Sequence, residues 1–407
     1  MTTCLTIDRL GRRGDGVAHM ANAPVHVPYA LPGERVSVEI DGDRAELLTV
    51  DKASPARRAP ECSYFTHCGG CATQHMDEAL YRHWKRELVV SALAWAGIEA
   101  PVEDLLDAHG DGRRRVTFHG RLVDGKAAVG FMAARTHTLV AIDHCPVLVP
   151  GLARAPAVAT ALAEAVGVRK PLDIQVTATS GGLDVDLRGL GPPRDKERLT
   201  LTALANHLDL ARLSLHGELI VERRPPAVTM GRAVVVPPAG GFLQATAMGE
   251  DRLGRLVSEA CQGRKRIADL FSGCGPFALR LAERSTVHAV ESFAPALQAL
   301  DRAVRGTQGL RPVTTETRDL FRRPLLPLEL NRFDTVVFDP PRAGAEAQVR
   351  EIAASKLRHV VAVSCDAQTF ARDMATLIAA GFSLTRVIPL DQFRYSSHME
   401  IVGVLKR

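Results

Sequence analysis

Arg266-Ile267-Ala268-Asp269-Leu270-Phe271-Ser272-Gly273-Cys274-Gly275-Pro276-Phe277 is the stretch that decides the fold. An apolar strand runs into a turn carrying two glycines, and a helical run through Leu279, Leu281 and Ala282 follows. Glycines let the backbone turn sharply against a ligand, and Pro276 suits a first helical turn. Strands of the same kind recur at Val287–Glu291, Thr335–Asp339 and Val360–Val363, separated by amphipathic helical segments. That alternation predicts an α/β, Rossmann-like domain over 241–407 built on a parallel, doubly wound sheet, in which ligands sit beyond the carboxyl ends of the strands.

Each of those strands ends in a polar or reactive residue. Glu291 closes the strand after the glycine loop, where a carboxylate can accept hydrogen bonds from both ribose hydroxyls. The third position of the loop is Ala278 and no pyrophosphate signature follows, so the nucleoside of S-adenosylmethionine fits better than a dinucleotide. Asp319, after a polar strand-like stretch, is placed to reach an adenine amine. Asp339-Pro340-Pro341-Arg342 follows the third strand, and its two prolines hold the backbone stiff, which fixes the direction of the Asp339 carboxylate and the Arg342 guanidinium.

Cys365 follows Ser364 at the end of the fourth strand, ahead of a helix around Thr369–Asp373 whose dipole favours a nearby thiolate. A thiolate is soft enough to add to an electron-poor double-bonded carbon, and Glu400, in His398-Met399-Glu400 at the start of a final strand, can later remove a proton. Together these residues point to a pyrimidine-modifying transferase.

Cys62, Cys68, Cys71 and Cys145 form a second group, with Gly69 and Gly70 between the middle pair. One loop can wrap a metal with the first three while Cys145 closes the set; the spacing suits a structural zinc or a four-iron cluster. With 407 residues the chain can bury more than one core. Short alternating strands over 1–55 predict an OB-like β-barrel, and 56–240 a central α+β domain carrying the cysteines, with part of 76–110 packed on the catalytic domain. Within it, Leu80, Trp84, Leu88, Leu93 and Trp95 have helical spacing. The net charge of +5 is gathered into pairs such as Arg12-Arg13 and Arg57-Arg58 and the triplet Arg113-Arg114-Arg115, which suit phosphate contacts. No stretch has the apolar length of a membrane span, and the eight cysteines suit metal or catalytic roles in a reducing compartment. A cytoplasmic monomer is expected.

These motifs, with Gly14-Asp15-Gly16-Val17-Ala18, Leu31-Pro32-Gly33-Glu34 and Phe242-Leu243-Gln244, resemble the S-adenosylmethionine-dependent RNA uracil-5-methyltransferases, specifically the iron-sulfur, TRAM-domain branch that acts on 23S ribosomal RNA. The resemblance covers nearly the whole chain. It implies that Gln244, Phe271, Glu291, Asp319 and Asp339 contact the methyl donor, that Cys365 and Glu400 are catalytic, and that Cys62, Cys68, Cys71 and Cys145 hold a [4Fe-4S] cluster. Pro276, Thr246 and Asp366-Ala367 depart from the family pattern. Transfer RNA as substrate, and a non-catalytic RNA-binding or ribosome-assembly factor, are the alternative readings; the retained Cys365 and Glu400 count against the latter.

Overall fold

The computed structural model describes residues 2–20, 23–123, 125–167 and 172–407. Its first unit is a six-stranded sheet in the order Thr2–Thr6, Arg35–Asp41, Arg44–Lys52, Ala23–Val27, Gly16–Met20, Arg9–Leu10. Its period-two pattern sends Val25, Val27, Val36 and Val38 into a small core. A seven-stranded sheet follows, running from Leu139–Ala141 at one edge to Glu218–Glu222 at the other. The helices Ala155–Val166 and Asp195–His207 pack against it, and Leu162, Ile174, Val185 and Leu213 lie in their shared core.

The third sheet positions the chemistry. Its eight strands run Val313–Thr317, Thr286–Glu291, Arg266–Leu270, Thr335–Phe338, His359–Ser364, Glu400–Lys406, Ser383–Asp391, Leu106–Asp107. Ile267, Val337, Val361 and Val363 pack into one layer, while Ala268, Val336, Phe338, Val360 and Ala362 pack into another. Both faces are therefore covered, which explains why these strands read as continuous apolar runs. Strand order reverses at Arg266–Leu270, whose two neighbours both pair parallel to it, and this opens a crevice at the carboxyl ends.

The sheet is not parallel throughout, as the strand-helix alternation predicted. Ser383–Asp391 and Glu400–Lys406 form a hairpin, and the second arm inserts antiparallel between the first and His359–Ser364. The inversion has a direct consequence for the site. An antiparallel strand begins where its parallel neighbour ends, so Ile401 pairs with Ser364 and Glu400 with Leu390. Glu400 and Cys365 thus reach the same rim from opposite chain directions.

One helix joins the first unit to the catalytic sheet. Glu78–Trp95 is capped by Asp77, whose carboxylate accepts from the Leu80 amide at 2.8 Å. Its buried face is Tyr81, Trp84, Lys85, Val89, Ala92 and Leu93. Trp95, counted by spacing as part of that face, is 89% exposed, because it lies on the last turn beyond the packed surface. Trp84 Nε1 donates to the Gly11 carbonyl of the first sheet at 2.9 Å, and the helix packs on Ala367–Ala379 of the catalytic domain. Lys85 is fully buried; its Nζ donates to Asp391 Oδ1 and to the His398 carbonyl, while Tyr81 Oη donates to Asp391 Oδ2 at 2.6 Å. No described helix is long and apolar enough to cross a membrane.

Removing one partner of a buried ion pair leaves an uncompensated charge, at a cost of about 3–5 kcal/mol. Lys85→Ala should therefore lower unfolding stability by that order in chemical denaturation, and Lys85→Met/Asp391→Asn together should recover much of the loss.

Candidate active site

The crevice at the carboxyl ends of the strands is a cleft of about 540 Å³ lined by Gln244, Phe271, Glu291, Asp319, Asp339, Cys365 and Glu400. Residues more than a hundred positions apart in sequence converge here because all but Gln244, which precedes the helix Ala247–Ala260, lie at or beside the end of a strand of one sheet. Arg266–Leu270 delivers Phe271 into the left-handed region, at φ 60°. A bulky residue there costs about 1–3 kcal/mol and persists only where its surroundings hold it. Its ring packs against Phe321 at 5.5 Å between centroids, forming an apolar wall at the mouth.

Glu291 ties the glycine loop to the next strand. Its Oε2 accepts from the Gly273 amide at 3.1 Å, and its Oε1 accepts from the Ser292 and Phe293 amides at 2.7 and 2.9 Å. Asp319 Oδ1 accepts from the Phe321 amide at 3.0 Å, which sets the turn that presents that ring. Pro276 lies one position ahead of the cap of the short helix Ala278–Leu281, rather than in its first turn.

The floor of the cleft is acidic. Removal from solvent drives the carboxyls of Asp339 and Glu400 upward, and Asp339 adds to the shift at Glu400. Gln392 and Arg342 pull Glu400 the other way. Behind them Asp269 is pushed up to about 8 by burial, then by Asp339 and Glu291. Glu400 Oε1 accepts from Gln392 Nε2 at 2.9 Å, whereas Oε2 has no partner among the described residues. Gln244 Nε2 donates to Asp339 Oδ2 at 3.2 Å.

Cys365 is half-buried at the rim. Burial, followed by Glu400 and Asp339, pushes its thiol up to about 12, and Arg342 opposes the shift. The expected help from the helix dipole is taken up elsewhere: Asp366 caps Ala367–Ala379, its Oδ1 accepting from the Gln368 and Thr369 amides at 2.9 and 3.0 Å. Thr246, the second departure, is also a cap; its Oγ1 accepts from the Gly249 amide at 2.8 Å and donates to the Ala108 carbonyl at 2.6 Å.

Cys62, Cys68, Cys71 and Cys145 line a second cavity of about 320 Å³. Phe242, Leu243 and Phe393 belong to the walls of both cavities. None of the eight cysteines is in a disulfide among the described residues. Among the described residues, no three His, Cys, Asp or Glu side chains converge on a point suited to a single metal ion. Two residues with a place in the site escaped the sequence reading. Lys85 is a polar position on an otherwise apolar helix face, and that interruption was the available signal; Gln392, between Asp391 and Phe393, carried none.

A family model described as tRNA (Uracil-5-)-methyltransferase matches residues 237–407, and one described as TRAM domain matches 2–49. An uncharacterized RNA methyltransferase of Agrobacterium fabrum is 46% identical over 414 residues, covering 100% of both chains. The 23S rRNA (uracil(1939)-C(5))-methyltransferase RlmD of Chromohalobacter salexigens is 33% identical, covering 99% of this chain and 89% of that one. In fold, the Pyrococcus abyssi tRNA (uracil-54, C5)-methyltransferase, solved with S-adenosyl-L-homocysteine, superposes with a TM-score of 0.74 over 100% of both chains at 22% identity. With a nucleoside-sized cleft at the switch point of its sheet and relatives matched end to end, the chain belongs to the S-adenosylmethionine-dependent RNA uracil-5 methyltransferases and carries an N-terminal TRAM domain.

Proposed function

We propose that the protein methylates C5 of a uridine in 23S ribosomal RNA through a covalent bond between Cys365 Sγ and C6 of the base. The observation that carries this reading is the pairing of Cys365 and Glu400 on one cleft, with one Glu400 oxygen held and the other free. Cys365 gives its proton to solvent as Sγ bonds to C6, and the C5–C6 π electrons move toward O4. C5 then takes the methyl group, and the donor's C–S bond breaks with both electrons going to sulfur. Glu400 Oε2 removes the C5 proton, the double bond re-forms and Cys365 leaves as thiolate. Gln244, Phe271, Glu291, Asp319 and Asp339 hold the donor.

The electrostatics support a cationic donor. Buried carboxyls that repel one another are eased by a positive sulfonium, which favours their charged forms. The base must leave its stack to enter, because C5 and C6 are covered in a helix. Arg9, Arg12, Arg13, Arg44 and Arg135 line a further cavity between the first sheet and the central domain, suited to the phosphates of the flanking strand. Ribosomal RNA is preferred because the Chromohalobacter relative acts on it and matches at full length; the family model and the Pyrococcus fold neighbour keep transfer RNA as the second substrate. Sequencing RNA from a deletion strain for lost 5-methyluridine decides between them. The protein would work as a cytoplasmic monomer.

The cysteine cavity suits a [4Fe-4S] cluster held by Cys62, Cys68, Cys71 and Cys145. Burial raises the thiols of Cys68, Cys71 and Cys145, the last to about 12, and thiolate repulsion adds to this. A multinuclear cationic core stabilises them as thiolates, whereas a single zinc needs its ligands gathered at about 2.3 Å from one point. Such a cluster would supply a fixed, redox-capable anchor next to the shared wall of Phe242, Leu243 and Phe393.

Three outcomes are expected. Cys365→Ala should abolish methylation with the melting temperature retained, whereas Glu400→Gln should accumulate an RNA–protein adduct on denaturing gels; rapid turnover by Glu400→Gln removes the base assignment. Near neutral pH, S-adenosylmethionine should release protons on binding and bind more tightly as pH rises, because its charge ionises acids held neutral by burial. S-adenosylhomocysteine, which lacks that charge, should do neither in calorimetry across buffers of different ionisation enthalpy. Protein purified without oxygen should contain iron and absorb visible light, and Cys68→Ser should lose both; stoichiometric zinc would overturn the cluster.

A further inference from the structure

Gln392 is completely buried in the turn between the two hairpin arms. Its side chain meets three groups at once. Oε1 accepts from the Thr246 amide at 3.3 Å, and Nε2 donates to Gln244 Oε1 at 2.6 Å and to Glu400 Oε1 at 2.9 Å. A backbone amide can only donate, so Thr246 fixes which end of the carboxamide is oxygen. The Nε2 end must then face Glu400 as a donor and cannot take a proton from it. Gln244, with its own oxygen occupied by Gln392, is turned so that its Nε2 donates to Asp339. Orientation therefore passes from one backbone N–H to two carboxylates of the cleft.

The turn itself is held from behind. Asp391 accepts from Lys85, Tyr81 and the Phe393 amide, so the backbone on either side of Gln392 is fixed by the connecting helix. Gly249 leaves the room the carboxamide needs: a Cβ there would lie 2.6 Å from Gln392 Oε1 and 2.8 Å from Thr246 Oγ1.

We propose that Gln392 is a positioning residue that keeps Glu400 oriented as a proton acceptor and sets the Gln244–Asp339 side of the cleft with the same amide. The inference rests on the reading of Glu400 as the base. Donation to the charged form of a carboxylate favours that form. The other groups acting on Glu400 are Asp339, which raises its affinity for a proton, and Arg342, which lowers it; Cys365 feels Glu400 in turn. His398 Nε2 lies 3.1 Å from Arg342, and burial pulls that imidazole down to about 4, so it adds no charge near neutral pH.

Gln392→Met keeps the side-chain length and removes the donor. Its acid limb for resolution of the adduct should move up by about one pH unit, since a lost hydrogen bond leaves the carboxylate less favoured. Turnover below that limb should fall about tenfold, with adduct building up on denaturing gels and KM for the donor changing less than kcat. Gly249→Ala, which displaces the carboxamide without altering it, should produce the same shift and covers the case in which Gln392→Met does not fold. Loss of rate uniform in pH, without adduct, would mean that Gln392 only packs and would overturn the proposal. Glu400→Gln run in parallel separates the two levels: if it accumulates adduct while both other variants keep the wild-type pH profile, only the role of Gln392 fails; if it turns over normally, the base assignment fails and this inference with it.

Discussion

Carboxyl groups buried with fewer partners than they can use are the constraint on which this cleft depends. Asp269, Asp339 and Glu400 share the floor, each made more reluctant to ionise by burial, with Asp339 adding to the effect at the other two. Such a cluster is costly in a folded core unless something compensates it. Part of the compensation is internal, through Gln392, Gln244 and Arg342. The remainder suits a positively charged ligand, which gives the cleft an affinity for a sulfonium that it loses once the methyl group has gone.

The geometry follows from one irregularity in the sheet. If the last strand ran parallel to its neighbours, its start would lie at the opposite edge of the domain, and Glu400 could not approach Cys365. Antiparallel insertion brings the first residue of that strand beside the last of His359–Ser364. A thiol and a carboxyl that both resist ionisation then face the same cleft, and neither is activated by its protein neighbours alone.

Much of this was legible in the residues. Apolar strands ending in Asp339, Cys365 and Glu291 announced a layered sheet with its chemistry at one edge, because strand ends are where side chains escape the core. The inverted strand was not legible, since a strand buried on both faces looks the same in either direction. The role of Lys85 was hidden because its partner, Asp391, lies over three hundred positions away, and Trp95 fitted the helical period while lying beyond the packed surface. Gln392 looked like an ordinary turn residue, because nothing local to Asp391-Gln392-Phe393 encodes that Thr246, Gln244 and Glu400 meet there.

The segment matched by the methyltransferase family model begins at residue 237, yet the connecting helix that neutralises Asp391 and the strand Leu106–Asp107 that completes the catalytic sheet come from well upstream. The portion matched by the methyltransferase model is therefore not a separable module. Dissecting the chain at that boundary would strip an edge from the sheet and strand an acid in its interior, so the upstream helix and strand are obliged to travel with the methyl-transferring part as one inheritable unit.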